Sequence, residues 1–180
     1  MKRDEWQLAE NETLRRASVD DAETVVALVQ DTARWVQDVK GVPQWRLYLT
    51  EPGIRSVHAR LAGEGGAEAY LVLRDGTPAG TLAIHWADPE CWGRRSDDGL
   101  AGYVHMLSIA PKFHGLQLGE RMLGWAERYI ATRGRRFARL DCWAGSPALC
   151  AYYPRVGYTR LEPDELRLKS MAWFEKRVIQ

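Results

Sequence analysis

Long apolar runs are missing from this chain of 180 residues. No stretch approaches the roughly 20 apolar residues that a membrane helix needs, so no spanning segment is expected. The first residues, Met1 to Gln7, are charged and polar and lack the apolar stretch of a secretory signal. Cysteine is scarce, with three in all: Cys91, Cys142 and Cys150. An odd number does not suit a full disulfide framework, and their spacing does not match a metal site. No metal is expected, and a reducing compartment, the cytoplasm, is the expected location. An excess of one charge is missing too. Lys and Arg total 25 and Asp and Glu 24, a net charge of +1. No global field draws such a chain to nucleic acid or an anionic membrane, and neither is expected as a partner. Arg94-Arg95 and the cluster from Arg133 to Arg136 read as a solvated loop and a helix end, where cations suit the dipole. Repeats and low-complexity segments are absent as well.

What remains is ordinary globular composition, 46% hydrophobic and 27% charged, long enough to bury one core. Residues 1–12 are polar and read as a loose arm; residues 13–180 read as one domain. Thr13–Arg16 suits a first strand. Ser18 with Asp21 resembles a capping box. Val25, Val26, Leu28, Val29, Ala33 and Val36 then follow at helical spacing. Gly41-Val-Pro43 breaks that helix, and Gln44–Leu49 is ambiguous between helix and strand. Pro52-Gly53 marks a turn and Ile54–Ala62 suits a second helix. Two strands, 69–73 and 79–86, flank Asp75-Gly76, a strong hairpin signal. Residues 88–99 form a polar loop long enough to be a substrate-facing lip.

The most informative segment runs from Tyr103 to Tyr158. Tyr103–Ile109 reads as a strand, and Pro111 to Gly119 as a turn with two glycines. A helix follows, with Leu118, Met122, Trp125, Ala126 and Tyr129 on one stripe and Gly134 as its stop. Phe137–Cys142 is a strand, Pro147–Tyr153 a short helix, and Leu166–Phe174 a closing strand. A glycine-bearing turn between strand and helix aims backbone N–H groups and the positive end of a helix dipole at whatever sits there. That arrangement suits a phosphate-bearing cofactor.

In this order of elements the segment resembles the cofactor-binding core of the GNAT superfamily of N-acyltransferases. The family's turn pattern, Gln/Arg-x-x-Gly-x-Gly/Ala, is met here by His114-Gly115-Leu116-Gln117-Leu118-Gly119. The last glycine matches; His replaces Gln or Arg at the first position, and Gln117 stands where the central glycine would be. Ser146 takes the family's small-polar position, and Tyr153 precedes Gly157-Tyr158 at the family's spacing of four. The resemblance implies an α/β (α+β) fold, a mostly antiparallel mixed sheet splayed at its centre and flanked by helices. It implies acetyl-CoA as co-substrate and transfer to a primary amine.

It also implies roles. The pyrophosphate would be held by the turn His114, Gly115, Leu116, Gln117, Leu118, Gly119 and Glu120, with His114 facing phosphate or solvent and Ser146 nearby. Leu107 and Ile109 would bond the cofactor arm through main-chain groups. Tyr153, with an ordinary phenol value of about 10, would protonate the leaving thiolate; Tyr152 reads as packing. For the base, the residues themselves point to histidine, which titrates near neutrality. His105 lies an even number of steps before Leu107 and Ile109 and is the better candidate; His85, ending another strand, is the second. Trp45, His85, Trp86 and Trp92 are the candidate acceptor wall, and Asp88, Glu90, Asp97 and Asp98 could attract a cation. Trp35 and Trp125 sit in helical stripes and read as core.

The expected partner is a small-molecule amine, and a homodimer stays open. A peptide amine also stays open as acceptor, and three rival functions remain at this point: an acyltransferase using a longer acyl-CoA, a non-catalytic CoA-binding regulatory module that keeps the turn without the chemistry, and a plain α/β interaction domain.

Overall fold

The computed structural model describes residues 5–162 and 170–178, apart from the side chain of Asp97. The chain divides into two compact units: Met1–Ile84 with Met106–Met122, and His85–His105 with Leu123–Gln180. Eight strands belong to one mixed sheet with the order β1-β2-β3-β4-β5-β6-β8-β7. They are β1 (Glu5–Ala9), β2 (Glu12–Arg16), β3 (Glu68–Arg74), β4 (Thr77–His85), β5 (Ala101–Ile109), β6 (Phe137–Trp143), β7 (Thr159–Leu161) and β8 (Met171–Arg177). The helices are α1 (Ala22–Lys40), α2 (Glu51–Leu61), α3 (Pro89–Trp92), α4 (Leu118–Thr132) and α5 (Pro147–Arg155). Among the described residues no helix is long and apolar enough to cross a membrane.

In the first unit the strands are antiparallel. Asp75 and Gly76 both take positive φ, 49° and 72°, the backbone of a tight hairpin turn, and β3 pairs with β4 across it. The Ser18 capping box forms, in a short 3₁₀ turn that leads into α1. Val25, Leu28, Val29, Thr32 and Ala33 are the buried side of α1. Val25, Leu28 and Val29 pack with Val57, Leu61, Ala69, Leu71, Ala83 and Met106. Each fully buried Val or Leu there contributes about 1.5–3 kcal/mol. Pro52 does not mark a turn. It sits in the first turn of α2, where its missing N–H costs nothing, and Thr50 caps that helix.

Residues 5–12, read from sequence as a loose arm, are instead strand β1, a turn at Glu10-Asn11 and the first residue of β2. β1 pairs with β2 through Trp6 opposite Leu14, and the Trp6 ring meets Tyr70 edge-on at 5.9 Å. Burying one tryptophan face offsets the ordering of a polar segment, which composition alone does not reveal. Glu12 is fully buried. Arg121 grips it with two hydrogen bonds of 2.6 Å, and Arg74 donates a third. A carboxylate so enclosed is tolerable only because it is paired. The Glu12–Arg121 bonds fasten the first turns of α4 to β2.

In the second unit β5 runs parallel to β6 at Ala101–Tyr103, while β8 is antiparallel to β6 and to β7. β7 was not expected, being only three residues long. The closing strand begins at Met171; the earlier part of its expected span, from Leu166, lies outside the described residues. Arg139 is buried and bonds Asp98, Glu175 and the Tyr103 hydroxyl. That network fastens the segment after α3 to β6 and β8.

Candidate active site

The turn between β5 and α4 lies in the first unit. Gly115 has φ of 80° and Gln117 φ of 57°. Both are left-handed, a conformation that costs a non-glycine residue roughly 1–2 kcal/mol. With Gln117 the chain accepts that cost, and the Gln117 carbonyl still accepts the first helical bond, from Arg121 N–H at 3.2 Å. The N–H groups of Leu118, Gly119 and Glu120 form the first turn of α4 and have no intrahelical acceptor. A Cβ added at Gly115 would meet nothing within 4 Å. Gly115, Leu116 and Gln117 are exposed and Gly119 is buried. The turn thus places first-turn amides that lack an intrahelical acceptor at the positive end of a fifteen-residue helix, next to an exposed Gly115.

Just before the turn, Gly80 lets β4 approach β5 closely: a Cβ there would sit 2.7 Å from the Ser108 carbonyl oxygen. One expectation needs correction here. The imidazole of His114 is not turned to phosphate. Its Nε2 lies 2.9 Å from the Ile109 carbonyl oxygen, and its ring meets Trp35 at 4.4 Å. The same carbonyl accepts from the Thr32 hydroxyl at 3.3 Å. The single Thr32 hydrogen lies nearer the Leu28 carbonyl, at 3.0 Å, so His114 is the main side-chain partner of the Ile109 carbonyl. Leu107 is half-buried. Trp35, read as core, is half-buried with the Lys40 ammonium 5.1 Å from its ring. Trp45 packs against the core cluster of this unit and against Tyr48 at 5.1 Å.

The second unit holds the remaining candidates. Tyr153 is buried on α5, its ring against Phe174 at 5.1 Å, Tyr152 at 5.5 Å and Tyr158 at 6.1 Å. Burial, with Cys142 and Asp141 nearby, pushes its phenol well above the usual value. Tyr153 therefore carries its proton at any working pH. Ser146 is buried and stands at the N-cap of α5, but its hydroxyl makes no capping bond. Pro154 lies inside α5, which runs to Arg155.

His105, His85, Asp88 and Asp141 form one cluster in this unit. His105 Nε2 is 3.0 Å from Asp88 Oδ2, a close charge contact whose N–H is not squarely aligned. Asp88 Oδ1 accepts from Cys91 N–H at 3.2 Å, and the Ser96 hydroxyl sits 2.5 Å from the Asp88 amide. The His85 ring meets His105 at 4.8 Å, edge to face. Burial opposes ionisation of Asp88, but His105, Cys91 N–H and His85 outweigh it and hold the carboxyl below its ordinary range. Asp141 is pushed up, first by burial and also by Asp88, against the pull of His105. The Cys91 thiol is pushed up to about 12 by burial and these acids, so it stays protonated.

The tryptophans of the proposed wall divide. Trp92 is buried against Tyr103 at 5.5 Å with Arg139 over its ring at 5.4 Å, a core position. Trp86 is half-buried and flanked by Arg133 at 5.4 Å and Arg135 at 5.7 Å. The argument that His105 shares a face with Leu107 and Ile109 presumed a regular strand. Met106 has φ of 55°, so even-step alternation does not carry across it. Sequence reasoning treated Asp88 only as a lure for cations and passed over Asp141. An acid inside an otherwise apolar strand was the signal for Asp141.

A sequence profile of the Acetyltransferase (GNAT) family matches residues 26–158. The uncharacterized N-acetyltransferase YesJ of Bacillus subtilis (strain 168) is 33% identical over 165 residues, 86% of this chain and 89% of the relative. Among solved structures, a GNAT-family acetyltransferase from Listeria monocytogenes superimposes with a TM-score of 0.76 at 24% identity, over 96% of this chain and 99% of that one. RimL, a ribosomal L7/L12 α-N-protein acetyltransferase in complex with coenzyme A, gives a TM-score of 0.69 at 18% identity, over 97% and 98%. The chain belongs to the GNAT acetyltransferase family, and its fold is the GNAT fold. It is accordingly an acyl-CoA-dependent N-acyltransferase.

Proposed function

We propose that the protein transfers the acetyl group of acetyl-CoA directly to the primary amine of a small, cationic molecule. The observation that carries the reading is the turn from His114 to Glu120, with two left-handed residues, an exposed Gly115 and the first-turn amides of α4. Those donors suit a pyrophosphate. RimL is described with coenzyme A bound, in keeping with that assignment. When bound, acetyl-CoA supplies the thioester. Leu118, Gly119 and Glu120 N–H groups hold phosphate oxygens. His105 takes the proton that the ammonium must lose before its nitrogen can attack. Tyr153 gives its proton to the departing sulfur. A phenol raised by burial releases that proton less readily than a free one, but it enters the reaction protonated.

The small-molecule acceptor is favoured by the second unit. The enclosed Asp141 carboxyl near His105, with a buried oxygen that no hydrogen bond takes, suits one compact cation. RimL acts on a protein N-terminus, so a protein amine is the competing acceptor. The test measures thiol release from acetyl-CoA with two panels at equal amine concentration: small amines such as diamines, amino alcohols and amino acids, and peptides with free N-termini. Calorimetry and thermal unfolding with acetyl-CoA run alongside. Faster turnover of at least one small amine is expected, with a rise in Tm as the ligand binds the native state. Turnover confined to peptides overturns the acceptor assignment. CoA binding without transfer to any amine would favour a regulatory module, and preference for longer acyl-CoA would move the acyl group.

A further inference from the structure

We infer that Asp88 is the positioning residue for His105: it fixes which ring nitrogen carries hydrogen, and so makes Nδ1 the atom that accepts the proton of the amine. The inference rests on acetyl transfer with His105 as base. Its ground is the geometry of the cluster. Asp88 Oδ2 lies 3.0 Å from His105 Nε2. A carboxylate only accepts hydrogen bonds, so a neutral His105 whose ring turns to close this contact into a hydrogen bond carries its hydrogen on Nε2. Nδ1 is then the lone-pair nitrogen.

Asp88 is itself immobilised. Its Oδ1 is taken by Cys91 N–H, at the start of α3, and its amide lies against the Ser96 hydroxyl. With Oδ1 spent, Oδ2 is the oxygen left for the imidazole, and it is buried. The Asp88 side chain is 10% exposed and that of His105 17%, so the carboxylate is enclosed while the ring keeps an open edge. The titratable neighbours are His85, edge-on at 4.8 Å, and Asp141 from β6. When Nδ1 gains the proton, the imidazolium faces Asp88, and its charge is matched where it forms. No covalent bond at Asp88 changes; the proton stays on His105 until solvent takes it.

Asp88→Asn is the discriminating variant. Its carboxamide keeps an oxygen for Cys91 N–H and turns an NH₂ toward Nε2. A donor there demands a lone pair on Nε2 and moves the hydrogen to Nδ1, which removes the base in the way an inverted tautomer does. Asp88→Ser keeps the cap and leaves the ring unconstrained. With ¹⁵N-labelled histidine, assigned by His105→Gln, the imidazole nitrogen shifts read the tautomer without turnover. In wild type Nε2 is expected to be the protonated nitrogen of the neutral ring, and in Asp88→Asn Nδ1. kcat/KM for the amine should fall about 10²-fold or more in Asp88→Asn, within the range of general base catalysis, and less in Asp88→Ser. The Kd for acetyl-CoA should not change. An unaltered tautomer, or near wild-type turnover in Asp88→Asn, overturns the role of Asp88 while acetyl transfer stands. Failure of the wild-type protein to acetylate any amine overturns the reading beneath it, and the inference falls with it.

Discussion

Gln117→Gly should stabilise the protein. The residue is exposed and has φ of 57°, between an exposed Leu116 and the start of α4. A side chain in that backbone conformation costs roughly 1–2 kcal/mol. Glycine removes the cost but adds freedom to the unfolded chain, worth about 0.5–1 kcal/mol in the other direction. The difference is a gain on the order of 0.5–1 kcal/mol. In a protein of this size 1 kcal/mol moves Tm by about 2–4 °C, so a rise of about 1–4 °C is expected. Gln117→Ala keeps the Cβ and should gain nothing. Gln117→Val adds a branch at Cβ and should lose stability. All three keep the backbone N–H and the carbonyl that accepts from Arg121, so calorimetry should return a similar Kd for acetyl-CoA. Thermal unfolding of the four proteins checks the order Gly above Gln and Ala, with Val lowest. A lower Tm for the glycine variant, or a valine variant equal to wild type, would refute the claim that this turn is strained at Gln117.

Tyr153→Phe should lower kcat by about 10²–10⁴-fold with little change in acetyl-CoA affinity, while Tyr152→Phe does much less. Because burial raises the Tyr153 phenol, its protonated form persists as pH rises, and the wild-type rate should show no loss from this group below about pH 10; equal small effects of the two variants would reject the role. Glu12→Gln should destabilise the protein by about 3 kcal/mol, since it leaves Arg74 and Arg121 without their carboxylate, and a denaturant midpoint measures it. Hydrogen bonding from Arg121, more than offsetting burial, lowers the Glu12 carboxyl. Its contribution is therefore present above the unfolded value of about 4.3 and lost as pH falls through the lower folded value. An acid-unfolding midpoint that does not move in the variant would refute that account.

The core of the fold was legible because periodicity and punctuation agree locally. α1 carries its cap, its apolar stripe and its stop within twenty-odd residues, and Asp75-Gly76 announces its hairpin in two. The turn of the site was legible for the same reason: Gly115 and Gly119 lie next to a strand and a helix. Elements that depend on distant partners were not. β1 is held by Trp6 on Tyr70, sixty-four positions away, and Glu12 reads as one more acid in a polar arm until Arg121 closes on it. His114 looked like a phosphate ligand because it occupies a ligand's place in the pattern. Only the fold brings Ile109 and Trp35 to its ring. The left-handed Met106 is equally silent in sequence, since nothing about methionine announces positive φ.

The same dependence on tertiary structure governs the charge around His105. A net charge of +1 says nothing of the corner where Asp88, Asp141, His85 and His105 gather. Two carboxyls short of water cannot both ionise unless each has its own partner. Asp88 has three, His105, His85 and Cys91 N–H, and remains a carboxylate. Asp141 shares the pull of His105 and feels Asp88 as a repelling neighbour, so burial prevails and its proton is held more tightly. Environments that separate two like groups in this way assign them different tasks. Asp88 can steady a positive ring without itself taking a proton. Asp141, on β6, has its charge held back for as long as the corner stays dry and unoccupied. A cationic amine arriving beside it would oppose the effect of burial and lower its carboxyl, so binding of such a substrate at a pH where Asp141 is partly protonated should release a proton to solvent. A neutral acceptor would leave Asp141 as it is, and the proton count on binding, read by calorimetry in buffers of different ionisation enthalpy, separates the two.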